Sequence, residues 1–85
     1  MDLREELNRA QWASRRGLLE LDLLLAPFVE HRFMDLDASL RDLYRDLLFE
    51  GDQDLLEWIM GRARASQPRF HPIIDAIRAF HRLDA

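Results

Sequence analysis

The chain of 85 residues contains no cysteine, so neither a disulfide framework nor a thiolate metal site can hold it together, and a reducing compartment suits it. It has no lysine either: all 12 basic residues are arginine. Arginine's planar fork favours bidentate contacts with carboxylates, although a GC-rich genome would leave the same bias. No apolar run comes near the roughly 20 residues that a membrane-spanning helix needs. The opening MDLREELNRA lacks the apolar stretch of a secretory signal and is too acidic for a transit peptide. The cytoplasm is therefore the expected location. With 16 acidic against 12 basic residues, net -4, the chain has no general attraction for nucleic acid or for an anionic membrane surface.

What is present is leucine at helical spacing. The length predicts one domain over residues 1–85. A chain this short buries only about 60% of the surface its unfolded form exposes, which leaves little room for an enclosed active site. Binding is favoured over catalysis.

Asp2 can cap a first helix, with Leu3, Leu7 and Ala10 in phase and Glu5 and Glu6 in its first turn. Arg15 and Arg16 follow near its negative end, and Gly17 can take the left-handed conformation that closes a helix. A second helix is predicted from Leu18 toward His31, which Pro27 either kinks or ends early. Asp37 heads a third through about Glu50, stopped by Gly51. Asp52 heads a short fourth, closed by Gly61. GRARASQP (61–68) reads as a linker, after which Pro72 fits the first turn of a last helix bearing Ile73, Ile74, Ile77 and Phe80. No strand-period segment of convincing length appears. The expected architecture is an all-α, small compact bundle of four to five helices.

The stretch RGLLE, Arg16 to Glu20, concentrates charge at one bend. Helix dipoles explain part of it: Arg16 at a C-terminus and Glu20 in the next first turn each complement the local field, so alanine at either should shift stability by no more than about 1 kcal/mol. The functional reading is that the bend projects a fork donor and a carboxylate from a rigid corner, with Gly17 admitting a partner's backbone. Glu20 and Asp22 point to different helix faces, against a shared acid–base pair. His71 and Asp75 have i, i+4 spacing, but His31 and His81 complete no zinc pattern. Asp52, Asp54 and Glu57 lack the ligand series of a calcium loop, which leaves capping as the role of Asp52. No serine has a histidine near it in sequence. Trp12 and Trp58 are each either core or an exposed anchor.

The run WASRRGLLELDLLLAPFVEH (12–31), followed by LLFEGDQDLLEWIMG (47–61), resembles the SdhE family of succinate dehydrogenase assembly factors. Its Arg-Gly-x-x-Glu signature falls on Arg16, Gly17 and Glu20. The resemblance implies a helical bundle and an assembly factor, not an enzyme. It implies that those three residues engage the flavoprotein subunit of succinate dehydrogenase, with fumarate reductase flavoprotein subunits as further clients. Asp52, Asp54 and Trp58 match as well and are carried as interface or structural positions. The resemblance further implies a flavinylation chaperone that promotes covalent FAD attachment to its partner. Such a helper binds no cofactor tightly, contacts no nucleic acid, does not insert into membranes and acts as a monomer. Members have also been labelled antitoxins (CptB), an alternative in which the chain neutralises a toxin partner.

Overall fold

Asp2 starts the first helix as its spacing predicts. In the computed structural model, which describes residues 2–83, the Asp2 carboxylate accepts the Glu5 N–H at 2.8 Å, leading α1 (Leu3–Ala13). The same device opens α3 (Ala38–Leu47), where the Asp37 carboxylate accepts the Leu40 N–H at 2.9 Å. Between them runs α2 (Leu19–Arg32), followed by a 3-10 turn at Phe33–Asp35. The chain continues through α4 (Asp52–Ile59), a second 3-10 turn at Pro68–Phe70 and α5 (His71–Phe80). Among the described residues there is no strand, and no helix is long and apolar enough to cross a membrane.

The longest helix, α2, is also the central one: it packs against α1, α4 and α5, while α5 also contacts α3 and α4. Its Leu21, Leu25, Phe28 and Val29 are fully buried in one core with Tyr44 of α3, whose ring lies 5.8 Å from Phe28 and 6.1 Å from Phe33. Leu55 and Ile59 of α4 and Ile73 and Ile77 of α5 close the core. α1 buries only Ala10, so it lies along the bundle's edge with most of its surface in water.

Several sequence expectations change. Pro27 does not end α2, which continues to Arg32. A proline deprives only one preceding carbonyl of its intrahelical donor, and neighbouring helices hold the segment in place. His81 of the α5 terminus donates from Nε2 to the Leu24 carbonyl at 2.6 Å. Gly51 does not stop α3, which ends at Leu47; at φ −66° it is the residue that precedes α4. Gly61, at φ +77°, does close α4, with the Gly61 and Arg62 N–H groups returning to the Trp58 and Glu57 carbonyls. The polar stretch after it is a fastened loop rather than a linker. Ala65 is buried, and its carbonyl accepts from His71 Nε2 at 3.1 Å. His71 Nδ1 therefore accepts from Arg64 at 2.9 Å, since a guanidinium can only donate.

Candidate functional site

The bend joining α1 to α2 covers residues 14–18, and side-chain bonds to three other segments fix its shape. Ser14 caps α1 and is fully buried. Its hydroxyl donates to the Ala10 carbonyl at 2.6 Å; having one hydrogen, it then accepts from the Tyr44 hydroxyl, also at 2.6 Å. This chain of bonds anchors the end of α1 to α3. Burial pushes the Tyr44 phenol well above its ordinary range, against the opposing effects of the Ser14 hydrogen bond and the Arg16 charge. The folded chain therefore keeps a proton that the unfolded chain releases near pH 10, so this contribution is complete below about pH 10 and falls as the pH rises beyond it, by up to about 1.4 kcal/mol per unit. Urea unfolding from pH 9 to pH 11 should show that decline in the wild type and a shallower one in Tyr44→Phe.

Arg16 turns inward. Its Nε donates to Asp52 Oδ1 at 2.8 Å, Nη1 to the Leu48 carbonyl at 2.8 Å and the Ala13 carbonyl at 3.1 Å, and Nη2 to the Glu50 carbonyl at 3.3 Å. Its side chain is only 18% exposed. The guanidinium thus staples the bend to the α3–α4 turn and to the first turn of α4. This corrects two expectations. Asp52 makes no capping bond to α4, whose N-cap is Gly51 and carries no side-chain cap; its carboxylate is the ion-pair partner of Arg16. Nor is Arg16 a fork projected from the corner, and its removal should cost more than a dipole effect because it would leave several acceptors without their donor.

The other strand of the bend is held by Asp22, whose role the sequence hid. Asp22 Oδ1 accepts the Arg16 N–H at 2.7 Å and Oδ2 the Gly17 N–H at 3.3 Å, tying α2's first turn back onto the residues before it. Only its position two residues after Glu20 in an apolar run pointed to it.

With Arg16 and Asp22 engaged inside, the residues left facing outward are of a different kind. Gly17 is exposed at φ +81°, and a Cβ there would meet nothing within 4 Å. Its conformation calls for glycine, but no described residue packs against that Cβ position. Glu20 is exposed in the first turn of α2, and its carboxylate takes no side-chain hydrogen bond or ion pair among the described residues. Asp54 is likewise exposed, in the first turn of α4 beside the Arg16–Asp52 pair. Two aromatics stand out in water nearby: Trp12, 82% exposed, and Phe49, 87% exposed on the α3–α4 turn. Phe49 is off the phase of the α3 stripe that buries Tyr44, Leu47 and Leu48, a signal available in the sequence.

Of the sequence-derived candidates, the structure groups Arg16, Gly17, Glu20 and Asp54 around one end of the bundle. Trp58 is different. It is buried, about 9 Å along α4 from Asp52 at the helical rise, and belongs to the core beneath the 61–67 loop. Of the two tryptophans, Trp12 is the exposed one. No group of three or more histidines and carboxylates suited to a metal occurs among the described residues. The site has the makings of a docking surface: a rigid corner, an open glycine, an unpaired carboxylate and two exposed rings.

A family model described as "Flavinator of succinate dehydrogenase" matches residues 8–81, which takes in every candidate residue. The FAD assembly factor SdhE of Pseudomonas savastanoi pv. phaseolicola is 47% identical over 72 residues, 85% of this chain and 86% of that protein. The FAD assembly factor SdhE of Photobacterium profundum is 42% identical over 76 residues, 88% of this chain and 85% of that protein. That of Vibrio cholerae is 40% identical over 75 residues, 88% of this chain and 87% of its own length.

Proposed function

Because the chain belongs to the SdhE family of FAD assembly factors, the flavinators of succinate dehydrogenase, we propose that its α1–α2 bend docks on the flavoprotein subunit of that enzyme and promotes covalent attachment of FAD there. The observation that carries this reading is the division of labour at the corner. Arg16 and Asp22 rigidify it from within, which leaves Gly17 and Glu20 presented to a partner in a fixed geometry.

The help is structural. Attachment proceeds through chemistry that the flavin supplies when bound to the partner, and a docked helper favours it by holding the partner's domains in a productive arrangement. A preorganised corner suits that task, since little ordering entropy is lost on binding. The chain acts in the cytoplasm as a monomer, binds no FAD tightly itself, and serves fumarate reductase flavoprotein subunits as second clients.

The test is capture of partners by the tagged chain from its own cells. Recovery of a large FAD-containing subunit, diminished by Glu20→Ala, is the expected result. Recovery of a small membrane toxin in its place would overturn the reading in favour of an antitoxin.

A further inference from the structure

Beside Arg16, the surface between α1 and the α3–α4 turn dips into an open groove of about 330 Å³. Its apolar lining comes from Ala10, Ala13, Leu48 and the exposed Phe49. Every charged residue on it is an arginine: Arg9, Arg16 and Arg45. That is unexpected on a chain with 16 acidic and 12 basic residues. Arg16 is neutralised by Asp52, and Arg45 by Glu6 and Asp42. Arg9 makes no side-chain hydrogen bond or ion pair among the described residues. The groove therefore presents one unmatched cation at the edge of an apolar trough. Arg9 and Ala13 also line the neighbouring depression against Trp12, so the two exposed rings flank the same ridge of α1.

We infer that this groove receives a segment of the flavoprotein partner in which an apolar side chain is followed closely by a carboxylate: the apolar group lies against Phe49 and Leu48, and the carboxylate pairs with Arg9. The inference rests on the flavoprotein reading above and adds to it the chemistry of what is recognised. Two features argue for this occupant. An aromatic ring held almost wholly in water beside a concave apolar surface is the arrangement that gives interfaces their strongest contacts once water is excluded. An arginine with no acid paired to it among the described residues selects an anionic partner and repels a cationic one.

The experiment titrates wild type, Phe49→Ser, Arg9→Glu and Arg9→Lys into purified FAD-free flavoprotein subunit at low and high salt, with Glu20→Ala as the control at the bend. Thermal melts and sedimentation of each variant alone accompany the titrations. Both positions are exposed, so the variants should melt near the wild type. Phe49→Ser should weaken binding about tenfold or more at either salt. Arg9→Glu should weaken it on the order of tenfold at low salt and much less at high salt, where the charge is screened. Arg9→Lys should keep most of the affinity. If Phe49→Ser and Arg9→Glu bind as wild type while Glu20→Ala binds weakly, the groove is not engaged and only docking at the bend survives. If wild type fails to bind the subunit at all, the flavoprotein reading falls and the groove assignment with it. If wild type alone self-associates and Phe49→Ser does not, the occupant is a second copy, and the inference is overturned.

Discussion

Arg16→Ala should melt more than about 10 °C below the wild type, a loss of roughly 2–4 kcal/mol in a domain of this size. Four hydrogen bonds disappear with the guanidinium, leaving the Asp52 carboxylate and the carbonyls of Ala13, Leu48 and Glu50 to find other donors. Asp52 is 39% exposed, and its partial hydration holds the loss to that range. Arg16→Lys should recover only part of the stability, because an ammonium cannot reach acceptors spread around the edge of a planar fork. Partner binding should fall in Arg16→Ala as well, through the loosened corner. A melt within about 2 °C of wild type would show that the staple contributes little.

Gly17→Arg should behave in the opposite way, staying folded while its affinity for the flavoprotein subunit drops on the order of a hundredfold or more. The fold asks little of the position: a Cβ there meets nothing within 4 Å, and the left-handed φ costs a non-glycine residue only about 1 kcal/mol. Gly17→Asn should be milder still in stability, since asparagine tolerates that conformation. A docked partner would be obstructed by any side chain at the corner, and most by a long charged one. Glu20→Ala shares the logic without the obstruction. It removes a carboxylate that takes no side-chain hydrogen bond or ion pair among the described residues, so stability should change by no more than about 1 kcal/mol while binding weakens.

The contrast between these two neighbours shows what the sequence could convey. The helices were legible because their signals are local: Asp2 and Asp37 sit one residue before an apolar periodicity, and Gly61 sits one residue after another. Asp52 looked like the same kind of cap. A carboxylate at a helix start is ambiguous in sequence, and what decides its role is an arginine 36 positions earlier, a separation that periodicity does not see. The resemblance put Arg16, Gly17 and Glu20 in one motif without separating the residue that builds the corner from those that face outward. Burial makes that separation, and burial is a property of the packed bundle. For the same reason Trp12 and Trp58 could not be told apart by residue type: α1 lies at the bundle's edge, whereas α4 packs against α2 and α5. Asp22 was hidden because its acceptors' partners are backbone N–H groups, which leave no mark in a sequence.

The most direct test is in-gel flavin fluorescence of the succinate dehydrogenase flavoprotein subunit from cells carrying the wild-type chain, no chain, or the Gly17→Arg chain shown to be folded and present at wild-type levels. Docking at the bend predicts bright covalent flavin with the wild type and a loss, to the level without the chain, with Gly17→Arg. Equal fluorescence in all three would contradict it.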